Sequence, residues 1–386
     1  PSPFRLPLWS MPEIEIVPVK SGSPKKQFLT LPWKINQSDP NWIPPLRQNQ
    51  KQLCGFGKHP FYNNAERQPF LAVRGGEPVG RLLAVVNHVH NRHHHEARGF
   101  FGFFESVDDP AVSSALFDAG AQWLREKGMT AVRGPANPSI NYEWGLLIEG
   151  FEKPPYFLMT HNLPYYEQLW EAWGFTKAQD LFAYHGSMDI LKGMQTTKKL
   201  FDMERTIRER FGIEVRNMDT RRFRQEVETF LDIYNRALTE TWGYIPLADE
   251  ELTHMAKDLG RLVVPELAII AEVKGKPIGV MFGLLDYNPR IKQIDGKLFP
   301  FGFIKLLRNK REIKRIRMVS TNVLPEYQGW GVGLVLALGM IFPGLEYGLE
   351  ECEFSWVLES NHLSRRTLEK GGAPKYKTYR VYDREL

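Results

Sequence analysis

Apolar and polar residues alternate at EIEIVPV (13–19) and again at GIEVRNM (212–218), the period-two pattern of a strand with one buried face. RQEVETFLDIYNRAL (224–238) changes to the three-and-four spacing of an amphipathic helix. FLAVRGGEPVGRLLAVVN (70–87) and ELAIIAEVKGKPIGVMFGLLD (266–286) each set two apolar runs around a Gly turn, which predicts hairpins. Further on, the pattern predicts a strand at RIRMVSTNV (315–323), a helix over 332–347 and a buried strand at CEFSWVL (352–358). A last helix should follow Asn361, a good N-cap residue.

These elements come twice. Ile14 and Ile213, Gly80 and Gly279, and Asn162 and Asn361 share one offset; Trp42 and Trp242 differ from it by one residue. NWIPPL (41–46) is echoed by TWGYIPL (241–247), and NLPYYEQLWEAWGF (162–175) by NHLSRRTLEKGGA (361–373). Repetition on this scale predicts two copies of one α+β unit, residues 11–190 and 205–386, joined near 190–205. Each copy is expected to be a mixed twisted sheet flanked by helices, which buries the apolar face of every element. Residues 1–10 read as a short extension ahead of a natural start at Met11.

Composition narrows the function. The 386 residues, 42 % apolar and 12 % aromatic, hold ample material for packed cores. Two cysteines are too few for a disulfide framework and favour a reducing, cytoplasmic setting. No signal-peptide pattern and no apolar run near the roughly 20 residues of a membrane span is present. A net charge of +5 permits anionic ligands without pointing to nucleic acid, and the ten tryptophans are scattered through apolar strings as core residues are. HVHNRHHHE (88–96) reads as a solvated loop at a strand end; it lacks partner cysteines, and no metal is expected. Neither copy carries a nucleophile elbow.

One stretch stands apart. LPEYQGWGVGLVLALG (324–339) places Gly329, Gly331 and Gly333 directly before an apolar helix. A helix N-terminus has unsatisfied N–H groups and partial positive charge, and glycines let the backbone approach a diphosphate. The Q-x-x-G-x-G spacing, with Gln328 anchoring its start, is neither a P-loop nor a dinucleotide fingerprint.

RMVSTNVLPEYQGWGVG followed by ESNHLSRRTLEKGG resembles the coenzyme A-binding core of the GNAT superfamily of N-acyltransferases, over roughly Arg317 to Tyr376. The resemblance implies an acyl-CoA-dependent N-acyltransferase, with coenzyme A as co-substrate and a small-molecule or lipid amine as acceptor. By position it implies that backbone groups of Val323 hold the thioester carbonyl and that Leu324 lies along the pantetheine arm. Backbone N–H groups of Gln328, Gly329, Trp330, Gly331, Val332, Gly333 and Leu334 would cradle the pyrophosphate; Asn361 and Ser364 would contact the arm from the facing helix. The position matching the family's presumed acid, a tyrosine, is Leu368 here. Glu326, Glu359 and Asp286 are base candidates by location, and a non-catalytic acyl-CoA or lipid-binding protein is the alternative. GFFGFFE (99–105) and VRGPANPSIN (132–141) extend the likeness to a bacterial group related to the bacterial ceramide synthase, implying a long-chain, sphingoid-like amine.

The first copy has SVDDPAVSSALF (106–117) in place of the glycine loop, so no coenzyme is expected there, and that copy should form the acceptor side. Its aromatic-rich stretch 134–162 is too long for a connector and reads equally as a binding element or a flap over a sheet edge. FPFGFIKLLRNKREIKRIR (299–317) sets seven cations against Glu312, a basic amphipathic segment suited to the inner face of an anionic membrane or to simple solvation.

Overall fold

A computed structural model describes residues 13–187 and 194–386. The proposed extension 1–10 with Met11, and residues 190–193 of the proposed junction, lie outside them. The first half runs β1 (Ile14–Pro18), α1 (Gly22–Ile35), α2 (Arg47–Leu53), β2 (Ala65–Arg74), β3 (Glu77–Asn87) and α3 (His88–His94). It continues with β4 (Arg98–Ser106), α4 (Pro110–Glu126), β5 (Ala131–Gly134), β6 (Ala136–Asn137), β7 (Glu143–Trp144), β8 (Leu146–Glu149), α5 (Tyr166–Ala172) and β9 (Thr176–Ser187). The second half opens with α6 (Met194–Phe211), β10 (Ile213–Asn217), α7 (Phe223–Ala237), α8 (Asp249–Gly260), β11 (Ala268–Val273) and β12 (Lys276–Leu285). Then come α9 (Asn288–Gln293), α10 (Gly302–Leu307), β13 (Arg315–Val323), α11 (Val332–Tyr347), β14 (Glu351–Leu358), α12 (His362–Lys370) and β15 (Lys375–Glu385).

The repeat read from the sequence is a repeat of register. Ile14 faces Arg74 as Ile213 faces Val273, and Ala72 faces Gly80 as Ala271 faces Gly279. In each half the fourth and fifth strands are parallel, joined by a long crossover helix, α4 or α11. The two halves do not keep separate sheets. One sheet runs in the order β1-β2-β3-β4-β5-β15-β9-β14-β13-β12-β11-β10, with β8 also on β15. The last strands have changed places: β9 pairs with β14 and β15, while β15 pairs with β5 and β9. Each half thereby covers the open edge of the other's fifth strand, an edge that would otherwise invite aggregation.

The first half packs its two faces around Phe28, Leu83 and Tyr379 on one side and Phe101, Phe117 and Trp170 on the other. The second half packs α11 on the sheet through Val332, Val335, Leu336 and Met340. Phe157 of the long stretch 134–162 belongs to this second core, edge-on to Tyr287 at 5.5 Å. The stretch is therefore a bridge: Tyr142 donates to Glu251 (2.7 Å), the Phe157 N–H donates to Asp286 (3.1 Å), and Asn288 donates to the Pro155 carbonyl (2.7 Å).

Two expectations are corrected. Residues 88–94 form α3, not a solvated loop, because Asn87 caps the N–H groups of Val89 and His90 (3.0 and 3.1 Å). His90 is buried against Phe100 and Glu96, and desolvation pushes its pKa down to about 4. Segment 299–317 is not one amphipathic unit: α10 covers only Gly302–Leu307, and Arg315 and Arg317 belong to β13, with Arg317 buried. Among the described residues no group of three or more His, Cys, Asp or Glu could hold a metal, and no helix is long and apolar enough to cross a membrane.

Candidate active site

β13 and β14 pair only from Arg315–Met318 to Glu351–Phe354. Beyond that, β13 stays with β12 as far as Val323 while β14 stays with β9, so the sheet opens into a wedge. The first half starts the same wedge, with β4 and β5 paired only at Arg98–Phe100 and Ala131–Arg133. There the chain fills it. A side chain at Gly102 would collide with the Ala136 carbonyl, and the Phe103 N–H donates to Asn137 Oδ1 (2.6 Å). The α4 N-terminus is capped by Asp109, which accepts from the Ala111 N–H (2.8 Å) and pairs with Arg74 (2.6 Å). Asp109 thus supplies from within the chain the negative charge that the helix end attracts.

At the mouth of the second wedge a 3₁₀ turn, Pro325–Trp330, leads through Gly331 into α11. The three glycines serve different ends. Gly331 is left-handed (φ 81°), and a Cβ there would lie 2.8 Å from Ile207 of α6, so the fold itself requires glycine. Gly329 and Gly333 are not left-handed, and among the described residues nothing lies within 4 Å of where their Cβ atoms would be. Folding does not demand glycine at either position; a ligand lying against the backbone would. Gln328 donates to the Val323 carbonyl (3.3 Å) across the turn, and Trp330 stacks on Phe211 of α6 (4.6 Å, 19°), which holds the loop in place.

The wedge leads inward to a polar cluster between the halves. Arg317 Nε donates to Ser355 Oγ (2.9 Å), the Ser355 hydroxyl donates to Glu353 (2.6 Å), and Tyr376 donates to the other Glu353 oxygen. Arg317 also lies over the ring of Trp356 (4.9 Å) and donates to the Phe157 and Leu158 carbonyls (both 3.3 Å). Trp144 stacks on Trp242 (5.6 Å, 20°) and meets Trp356 edge-on (6.5 Å), giving an aromatic wall drawn from both halves. Beside Trp144 is Glu143, whose carboxyl is pushed up to about 7 by desolvation, against the pull of the Asn137 side chain and the Arg317 charge. Trp356 Nε1 and Tyr379 OH are buried there without a hydrogen-bond partner among the described residues, a condition that a polar ligand group would relieve.

The residues singled out in the sequence fall into two groups. Val323, Gln328, Gly329, Trp330, Gly331, Val332, Gly333 and Leu334 line up along the wedge mouth. Leu324 turns its side chain into a core pocket with Ile233, Ile270 and Val280, and its N–H donates to Ile278 (2.9 Å). Asn361 caps α12 by accepting from the Ser364 N–H (3.0 Å), and Leu368 packs on Phe182, Tyr184 and Val357. The candidate carboxylates are each engaged by a cation. Glu326 is exposed and pairs with Arg236 (2.7 Å), and Glu359 pairs with Lys177 (2.7 Å). Asp286 sits at the opposite end of β13, its backbone N–H donating to Arg315 (2.8 Å). Glu143, Arg317, Glu353, Trp356 and Tyr379 escaped the sequence reading. Only the length and aromatic content of 134–162 pointed toward Glu143.

This doubled sheet is the fold of tandem GNAT proteins. The tandem GNAT protein from the clavulanic acid biosynthesis pathway superposes with a TM-score of 0.56 at 13 % identity, covering 97 % of this chain and 98 % of that one. A GCN5-related N-acetyltransferase from Sphaerobacter thermophilus gives 0.53 at 13 %, covering 97 % of each chain. No protein-family model matches the chain. It is 37 % identical over 384 residues to the bacterial ceramide synthase of Caulobacter vibrioides, covering 97 % of this chain and 98 % of that protein. Protein YghO of Escherichia coli is 33 % identical over 367 residues, covering 94 % and 93 %. The chain belongs to the family of the bacterial ceramide synthase and has the tandem GNAT fold.

Proposed function

We propose that this protein is an N-acyltransferase that moves an acyl group from acyl-CoA to an amine. The observation that carries the reading is the open space at Gly329 and Gly333 beside the N-terminus of α11, which no side chain of the described residues caps, while the matching helix in the first half is capped by its own aspartate. The backbone from Gln328 to Leu334 would hold the diphosphate, with Val323 along the arm and Asn361 and Ser364 facing it; Leu324, expected along the arm, is buried in the core instead, its N–H and carbonyl both engaged. The first half supplies the acceptor side through Tyr142, Glu143 and Trp144. The relative named ceramide synthase favours a long-chain amine as the acceptor.

In the reaction the amine nitrogen forms the new C–N bond, the C–S bond breaks, and the thiolate leaves and is protonated. This chain's contribution is positioning and proton transfer. Glu143 suits the role of proton acceptor from the ammonium, because a carboxyl near 7 is partly ionised at neutral pH. Glu326 and Glu359 are the loop-side alternatives. The apolar surroundings of Leu368 favour the second reading, a protein that binds acyl-CoA without turnover; single-turnover consumption of thioester with and without amine separates the two.

The deciding variant is Gly333→Glu. The new side chain has room, and a carboxylate in the first turn of a helix is mildly stabilising. The apo melting temperature should hold or rise, and the coenzyme A response should vanish. In wild type, coenzyme A at one hundred times its Kd should add about 2.7 kcal/mol. An unshifted wild type at millimolar coenzyme A, or a variant that responds as wild type does, would sink the assignment.

A further inference from the structure

At the end of β12 the chain leaves the sheet, makes α9 and α10, and returns as β13. On this excursion Phe299, Phe301, Phe303 and Ile304 stand 70 %, 70 %, 42 % and 48 % exposed, four of the large apolar side chains that the fold leaves in water. They are not on a loose strand. Leu306 anchors α10 in the core, and Arg290 donates to the carbonyls of Leu306 (3.1 Å) and Asn309 (2.9 Å). Asp295 is pinned to the first half by Trp33 and Arg47. The apolar tip is thus held out rigidly, so little ordering entropy is left to lose on docking.

Cations lie along the same excursion. Lys292, Lys297, Lys305, Arg308, Arg311 and Lys314 are exposed. The acids among them are engaged, Asp295 with Arg47 and Glu312 with Arg290. A second copy of the chain meeting this face would set like charges against each other, whereas an anionic bilayer neutralises them and takes up the rings.

We propose that Phe299, Phe301, Phe303 and Ile304 enter the headgroup region of an anionic lipid bilayer, with Lys297, Lys305, Arg308 and Arg311 against its phosphates. Apolar insertion and cation attraction together give a peripheral attachment, which neither gives alone. The tip lies at the start of β13 and the glycine loop at its end, so docking leaves the coenzyme loop in water. The inference does not depend on acyl transfer.

Co-sedimentation of the full chain with vesicles of phosphatidylcholine alone, or with added phosphatidylglycerol, tests it. Wild type should partition onto the anionic vesicles and hardly onto the neutral ones. Phe299→Ser with Phe301→Ser should weaken partitioning about tenfold for each ring removed. Lys305→Glu with Arg308→Glu should weaken it at least about fivefold for each cation removed. Both variants should keep the wild-type melting temperature and coenzyme A response, so failure of docking and failure of the acyltransferase reading can be told apart. Equal partitioning of wild type and the serine variant, or no binding to anionic vesicles, overturns the proposal. So does a wild-type dimer on size exclusion that the serine variant turns into a monomer.

Discussion

Glu143 and Gly333 carry the sharpest predictions at the residue scale. Desolvation raises the Glu143 carboxyl to about 7, so it gains its charge near neutrality. With an acceptor amine that is itself neutral across the range, kcat/KM should rise with pH through about 7. Glu143→Gln should abolish that limb and lower the rate by roughly 10²–10⁴-fold. A limb unchanged in the glutamine variant would assign the proton to another group. Linkage gives a second readout. A folded pKa above the unfolded value of an ordinary carboxyl means stability is fully present at low pH and is lost as pH rises through 7. Glu143→Gln should therefore melt higher than wild type in alkaline buffer. Gly329, Gly331 and Gly333 were visible as a motif in the sequence, but their separate reasons were not: a left-handed backbone at 331 and empty space at 329 and 333 exist only in three dimensions.

Among the elements, the strong periodicities appear with the bounds read from them: β13 spans Arg315–Val323 and α11 spans Val332–Tyr347. Local patterning decides such segments because their burial repeats with the period of their own backbone. α3 is not legible in the sequence because a run of histidines has no apolar stripe; its helix rests on the Asn87 cap and on burial of His90. The bridge 134–162 could be noticed but not folded from its sequence, since its partners lie more than a hundred positions away in the chain. Asp286 is one of its pins, accepting from the Phe157 and Asn288 N–H groups (3.1 and 3.2 Å). Asp286→Ala leaves both donors unpaired in the interior, and unfolding in urea should show a loss of about 2 kcal/mol. Unchanged stability would mean that the remaining hydrogen bonds and aromatic contacts hold the bridge without Asp286.

In the whole molecule, the exchange of β9 and β15 makes the two halves one folding unit. β9 lies between two strands of the second half, and β15 between two of the first. Residues 1–187 and 194–386 produced separately should each be aggregation-prone and lack cooperative melting, because the fifth strand of each would present a bare edge. Mixed during refolding, they should recover a single transition; two independently folded, soluble halves would refute the interdependence. The sequence by itself determined the repeat, the period of each element, the glycine loop and its absence from the first half, because these depend on neighbours a few residues apart. Tertiary structure alone decided which wedge stays open, that the last strands trade places, and that Glu143 of one half comes under the charge of Arg317 of the other. Those outcomes depend on edges that need partners and on charges that lose water only when distant segments close over them.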